Sequence, residues 1–361
     1  MVFQEFLCYN IENRDAFKCF REEPYPLEQA EAQAVWGLTV KREGDGSCGA
    51  PFSQGPGRHG IFAPCGGSEG IVLQETSYRL SDPSAVKSLL ARHGFTFSKS
   101  LGQNFLINPS VCPRMAEECG AGPGVGVLEV GPGIGVLTVE LAKRAEKVVS
   151  IELDKRLLPV LHETLGNHPN AKVVNDDVLK VDLQRLLQEE FAGMDVVVCA
   201  NLPYYITSPV IMRLLEERLP IQALTVMVQK EAAQRLCAPP GTRACGAVSV
   251  AVQYYAEPRV LFQVSRGSFL PPPNVDSTVI RLDVREQPLI RVPDEKRFFA
   301  LVKAAFGQRR KTILNAVSAG LSVPKEQVSN ACATTGISPT ARAEQLSMEQ
   351  LAALCCAIES K

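Results

Sequence analysis

The stretch Val125-Gly126-Val127-Leu128-Glu129-Val130-Gly131-Pro132-Gly133-Ile134-Gly135 decides the fold class. Its first six residues make a short apolar run with the length and composition of a buried strand. Glycines at alternate positions then break the strand, and helical spacing resumes over Val136–Arg144. A glycine turn between strand and helix lets the backbone pass close to a ligand, and the helix N-terminus contributes amide donors.

Outward from this unit, strand and helix alternate. Upstream, Ser84–His93 has helical spacing and ends at Gly94, and Asn108-Pro109 reads as the start of a helix running to about Gly120. Downstream come a strand at Val148–Glu152, a helix over Asp154–Leu165 capped by Asp154, and strands at Lys172–Asn175 and Asp195–Ala200. A helix from Ser208 to Glu217 and a strand at Leu224–Gln229 follow. Short connections between such elements imply a parallel sheet covered on both faces. Val248–Tyr255, Arg259–Val264 and Thr278–Val284 read as strands without long helices between them, an antiparallel edge. From Glu295 only helical periods remain: Phe298–Phe306, Lys311–Ala319, Lys325–Thr334 and Met348–Ile358. The expected fold is therefore α/β, Rossmann-like, with a mostly parallel sheet and an antiparallel edge, followed by a small all-α C-terminal domain. The boundary falls near Glu286–Pro293, giving domains over 77–288 and 289–361. Residues 1–76 stand apart: their Gly/Ser/Pro-rich run from Gly44 to Gly70 keeps no hydrophobic period, and they read as a disordered or non-native extension.

Bulk composition narrows the class. No apolar run reaches the ~18 residues that cross a bilayer, and the first residues lack the basic-then-apolar order of a secretory signal, so the cytoplasm is expected. The 12 cysteines and four histidines fall at no metal-ligand spacing; Cys355 and Cys356 are adjacent, and no pair of C-x-x-C knuckles occurs. No metal is expected. Net charge is −1, but residues 1–76 alone carry −5, so the remaining body is positive. That balance suits a phosphate-binding face.

The glycines Gly131, Gly133 and Gly135 follow G-x-G-x-G rather than the dinucleotide fingerprint G-x-G-x-x-G. Glu129, just before the turn, can fix the loop or answer a cationic ligand, where a pyrophosphate would be repelled. Glu152 ends the second strand about twenty residues on, where a carboxylate accepts the ribose hydroxyls of an adenosine moiety. Asp177, after the third strand, is placed to accept from an adenine amino group. A nucleotide-dependent oxidoreductase shares this layout and stays open on these residues alone.

Asn201-Leu202-Pro203-Tyr204 follows the fourth strand. An adenine amino group is a poor nucleophile because its lone pair is delocalised into the ring. Hydrogen bonds accepted by the Asn201 side-chain oxygen and the Leu202 carbonyl can turn that lone pair toward a methyl donor. Pro203 stiffens the turn and removes a competing donor. Tyr204 offers a face for stacking a base, worth ~1–3 kcal/mol.

These motifs occur in order with three others: Ser98-Lys99-Ser100-Leu101-Gly102-Gln103-Asn104-Phe105-Leu106, Ile151-Glu152-Leu153-Asp154, and Phe269-Leu270-Pro271-Pro272-Pro273-Asn274-Val275-Asp276-Ser277. Together, from about residue 80 to the C-terminus, they closely resemble the KsgA/RsmA family of ribosomal RNA adenine dimethyltransferases. The resemblance implies a class I S-adenosylmethionine-dependent methyltransferase fold. It implies cofactor contacts at Asn104, Leu106, Gly131, Glu152, Asp177 and Asn201, with Gly133 beside them in the glycine loop. The implied substrate is a pair of adjacent adenines in the 3′-terminal hairpin loop of 16S rRNA, each methylated twice during assembly of the 30S subunit. Tyr204 and Phe269 would then sandwich the flipped base.

Gln308-Arg309-Arg310-Lys311 sits on or just before a helix, and three consecutive cations can neutralise phosphates without reading sequence. Arg309, Arg310 and Lys311 are the expected RNA contacts, with Lys99 a further one, and the chain is expected to act as a monomer. Two related readings remain beside this one: a 23S rRNA adenine methyltransferase of the erythromycin-resistance type, and an assembly factor acting mainly by RNA binding.

Overall fold

A computed structural model describes residues 80–97 and 103–359. The reading of 1–76 and the expected RNA contact at Lys99 lie outside the described residues. The deciding stretch forms strand β2 (Val125–Val130), the glycine turn, and helix α3 (Val136–Ala142). Alternate residues of β2 enter different layers: Val127 packs with α2 (Val111–Glu118) and α3, whereas Leu128 and Val130 face the opposite core. A strand buried on both faces is apolar almost throughout, which is why its sequence shows a near-continuous run, interrupted only by Glu129, instead of alternation.

β2 is flanked in parallel by β3 (Lys147–Glu152) and β5 (Asp195–Asn201); β4 (Ala171–Asn175) and β6 (Ala223–Gln229) extend the sheet on either side. β9 (Ser277–Val284) then adds antiparallel to β6, and β7 (Ala256–Val264) closes the edge, giving the order β4-β3-β2-β5-β6-β9-β7. Strand succession reverses between β2 and β5, and at such a switch point the carboxyl ends of the strands leave a crevice. The register Glu129↔Cys199 brings the glycine turn and the Asn201 turn to the same edge within two residues.

The helices that line the two faces are α1 (Pro83–Arg92) and α4 (Leu158–Leu165) beside α2 and α3, and α5 (Leu183–Glu190), α6 (Thr207–Glu216), α7 (Lys230–Leu236) and α8 (Ala247–Tyr255) opposite. Three starts are capped by aspartates accepting a backbone N–H, Asp82 for α1, Asp182 for α5 and Asp154 for a 3-10 turn over Lys155–Leu157 that leads into α4. Asn108 does not cap a helix directly: its Oδ1 accepts from the Ser110 amide and hydroxyl, and α2 starts one residue later.

One element differs in kind. Val248–Tyr255, read from sequence as a strand, is helix α8. Valines at 248, 250 and 252 imitate a period of two, but most of the helix is buried, so no polar stripe marks the helical period. Its start is fixed by Ser249, whose Oγ accepts from the Gly246 amide and donates to the Arg235 carbonyl. Beyond β9 the chain is helical as expected: α9 (Glu295–Phe306), α10 (Ile313–Leu321), α11 (Lys325–Thr334) and α12 (Met348–Glu359). Phe298 and Phe299 of α9 pack against Tyr254 and Tyr255 of α8, so these helices share a hydrophobic cluster with one face of the sheet.

Candidate active site

Gly131, Gly133 and Gly135 all have positive φ (70°, 61° and 88°), a backbone only glycine adopts without strain. Their turn is tied down by the Gly131 amide donating to Ile151 O (3.0 Å) and the Gly135 amide to Pro132 O (2.9 Å). Beneath it Glu129 is fully buried and accepts from the Thr138 and Ser150 hydroxyls, each at 2.6 Å. Burial pushes its pKa up to about 7 despite those two donors. Of the two roles open to Glu129 in the sequence, this arrangement favours holding the loop.

Glu152, at the tip of β3, accepts from the Asp154 amide (2.8 Å) and the Gly133 amide (3.3 Å), so the carboxylate stands against the glycine turn. Burial is again the main cause that raises its pKa to about 7. Asp177 lies beyond β4; its Oδ1 accepts from the Leu179 amide at 2.9 Å and its Oδ2 lies 3.4 Å from Lys180 Nζ.

The roof comes from two segments far apart in sequence. β1 (Phe105–Leu106) and β8 (Phe269–Leu270) pair antiparallel, with Leu106 opposite Phe269. The ladder continues through the Ile107 amide to Ser268 O (2.8 Å) and Asn108 Nδ2 to Ser268 Oγ (3.1 Å). Gln103 Nε2 donates to Asp154 Oδ2 (2.8 Å), tying the start of this segment to the end of β3. Asn104, Leu106 and Phe269 thus reach the glycine turn through strand pairing.

On the other side, Asn201 ends β5 half-buried, and among the described residues no hydrogen bond engages its side-chain amide. Pro203 O accepts from the Ile206 amide (3.1 Å) and the Thr207 hydroxyl (3.3 Å), closing the turn onto α6. The Tyr204 hydroxyl meets Ser277 Oγ of β9 at 2.7 Å, and partial burial raises its pKa. A single cavity of about 1130 Å³, counted out to solvent, is lined by Asn104, Leu106, Gly131, Gly133, Glu152, Asp177, Asn201, Leu202, Pro203, Tyr204 and Phe269. Every sequence-derived cofactor and base residue therefore lines one space. Arg309, Arg310 and Lys311 do not line it; they are exposed in the turn between α9 and α10, where Arg309 donates to Arg243 O (3.2 Å) and stands 3.7 Å from Glu344. Sequence reasoning missed Gln103 as the tie to Asp154 and Ser277 as the partner of Tyr204. Both lie inside the quoted motifs, but nothing local names their partners.

The family model for ribosomal RNA adenine dimethylases matches residues 94–359. The chain belongs to the ribosomal RNA adenine dimethylase family. It is 47% identical to the ribosomal RNA small subunit methyltransferase A of Alkaliphilus oremlandii, across 76% of this chain and 96% of that protein. The enzyme of the same name from Geobacillus thermodenitrificans is 49% identical, across 77% and 97%. Among solved structures, the 23S rRNA methyltransferase ErmE aligns at a TM-score of 0.55 with 31% identity, covering 71% of this chain and all of ErmE. A dimethyladenosine transferase from Plasmodium falciparum aligns at 0.56 with 26% identity, covering 69% and 95%. As a dimethylase of this family the chain is an enzyme that takes S-adenosylmethionine as cofactor, and the oxidoreductase reading falls away. The residues present fit that cofactor: a Cβ at Gly131 would find its nearest atom, Pro203 Cδ, only at 3.9 Å, so the turn is open to a ligand there, while Gly133 and Gly135 are closed in by Phe105 and Thr164. Among the described residues no helix is long and apolar enough to cross a membrane, and no cluster of three or more potential metal ligands occurs.

Proposed function

We propose that this enzyme dimethylates N6 of two adjacent adenines in the 3′-terminal hairpin loop of small-subunit rRNA, acting as a cytoplasmic monomer on assembling 30S subunits. S-adenosylmethionine supplies an electrophilic methyl group on a cationic sulfur. Asn104, Leu106, Gly131, Gly133, Glu152, Asp177 and Asn201 hold it, with Glu152 accepting the ribose hydroxyls and Asp177 the adenine amine. The Asn201 side-chain oxygen and the Leu202 carbonyl accept hydrogen bonds from the target N6 amine, freeing its lone pair, while Pro203 keeps a competing donor out of the turn. Tyr204 and Phe269 sandwich the flipped base. Each transfer forms an N6–CH3 bond as the S–CH3 bond breaks, the donor leaving as the neutral thioether S-adenosylhomocysteine and one N6 proton passing to solvent. After the first, one N–H remains, so one of the two acceptors gives up its bond in the second. No covalent nucleophile is needed; alignment carries the reaction.

The observation that carries this reading is the Asn201 amide, at the switch point of the sheet, on the cavity wall and without a hydrogen bond among the described residues. A half-buried amide on a cavity wall, with no hydrogen bond of its own, keeps its donors and acceptor available to a ligand. Small-subunit rRNA is favoured over the 23S target because the small-subunit relatives stand at 47–49% identity and ErmE at 31%. The domain over 289–361, with Arg309, Arg310 and Lys311, holds the RNA backbone, with Lys99 a further contact, and residues 1–76 take no part in catalysis. Asn201→Ala tests the assignment. Methyl transfer is expected to fall by on the order of 10²-fold or more, the scale of losing one positioned polar group, with S-adenosylhomocysteine binding partly retained. Full activity in that variant contradicts the role.

A further inference from the structure

The loop after β4 reaches the cavity while packed on the core: Val178 is buried, Leu179 and Val181 lie against the same cluster, and the Asp176 amide donates to Glu152 O at 3.1 Å. β4 is the edge strand of the sheet and none of its residues is fully buried. Yet Asp177 and Val178, immediately after it, both line the cavity. The loop closes on itself through the Lys180 and Val181 amides, which donate to Asp177 O at 2.8 and 2.9 Å. That fixes its shape; the apolar side chains anchor it to the core but leave the Val178 and Val181 carbonyls to be oriented.

Those two carbonyls are held from α6. Arg213 Nη1 donates to Val178 O at 2.6 Å and Nη2 to Val181 O at 2.7 Å, while Nε donates to Glu217 Oε1 at 2.6 Å. The side chain is only 14% exposed, so these charge-assisted bonds are largely shielded from water. A planar guanidinium can hold two carbonyls of one turn at a fixed separation; an ammonium on a flexible stem cannot. The same helix begins at Thr207, whose hydroxyl donates to Pro203 O, so α6 carries the Asn201–Tyr204 turn at its start and the Asp177 loop on its flank.

We infer that Arg213 is a positioning residue that sets the adenosine-binding loop in register with the target-base turn. The inference rests on the proposed role of Asp177 at the cofactor's adenine. Arg213 touches neither cofactor nor base; it acts through the Val178 and Val181 carbonyls. Full-length Arg213→Met and Arg213→Lys are compared with the parent by calorimetric titration with S-adenosylhomocysteine, thermal melting and steady-state methylation of rRNA. Arg213→Met is expected to raise Kd and the KM for S-adenosylmethionine about tenfold, the scale of losing hydrogen bonds to a charged donor, with a smaller fall in kcat at saturation. Arg213→Lys, reaching one carbonyl at a time, falls between. A parental Kd in both variants, or a lower melting temperature with no change in Kd, overturns the inference. If Arg213→Met does not fold, Arg213→Lys decides: binding weakened several-fold supports the role and a parental Kd refutes it. Asp177→Ala separates the two layers of argument. Weaker binding there with parental binding in the Arg213 variants fails only this inference; parental binding in Asp177→Ala fails the reading of the loop itself.

Discussion

Cofactor affinity should depend on pH through Glu152. The residue is 6% exposed, and burial raises its pKa to about 7, the hydrogen bonds from the Asp154 and Gly133 amides only partly opposing it. A carboxyl with that midpoint is about one-tenth ionised at about pH 6 and about nine-tenths at about pH 8. The ionised form accepts two ribose hydroxyls and attracts a cationic ligand, so affinity for S-adenosylmethionine should rise about tenfold across that window, ~1.4 kcal/mol. Stability of the ligand-free protein moves the other way. The folded pKa lies above the ordinary glutamate value of about 4.5, so this group's contribution is fully present below about pH 4.5 and is lost as pH rises through about 7. Binding therefore tightens over the interval in which the free protein loses stability, and a general unfolding effect cannot imitate the result. Calorimetric titration at three pH values, with Glu152→Gln as the non-titrating control, measures it. A parental Kd flat within about twofold, or an unchanged slope in Glu152→Gln, refutes the reasoning.

Other consequences are equally open to test. A methyl group at Gly126 would stand 2.2 Å from Phe191 Cδ1 in a packed core, so Gly126→Ala should cost about 1–3 kcal/mol of overpacking. A thermal melt should drop by several degrees, and an unchanged melting temperature shows the ring has room to move. Replacing Arg309, Arg310 and Lys311 together by alanine should weaken rRNA binding and flatten its plot against log salt by roughly 2–3 units of slope; unchanged affinity makes the turn a solvated surface only.

Much of the sheet was legible because β2, β3, β5 and β6 are buried strands bounded by turn residues, and their spacing alone implies a parallel array. Helix α8 was not, because burial on nearly all sides removed the polar stripe that a helical period needs and left alternating valines to suggest a strand. α5 and α7 were passed over for a different reason. Each is short, and α7 begins directly at the end of β6 with no linker residue to announce it. The β1–β8 ladder joins residues more than 160 positions apart, and no local pattern specifies such a pair.

The site divides in the same way. Gly131–Gly135 and Glu152 carried their chemistry in spacing, since a glycine turn and a strand-end acid are local features. Asn104, Leu106 and Phe269 were reached only through resemblance, because their proximity depends on that distant ladder. Arg213 was invisible: an arginine in an amphipathic helix reads as a solvated charge until its two carbonyl partners on another loop are seen.

The claim at the centre of this account is the identity of the methylated base. Incubating the protein with labelled S-adenosylmethionine and either immature 30S or 50S particles, then mapping the label, tests it most directly. The account predicts label on N6 of two adjacent adenines in the 3′-terminal hairpin of 16S rRNA, each ending with two methyl groups. Label confined to 23S rRNA, or to any base other than adenine, would contradict it.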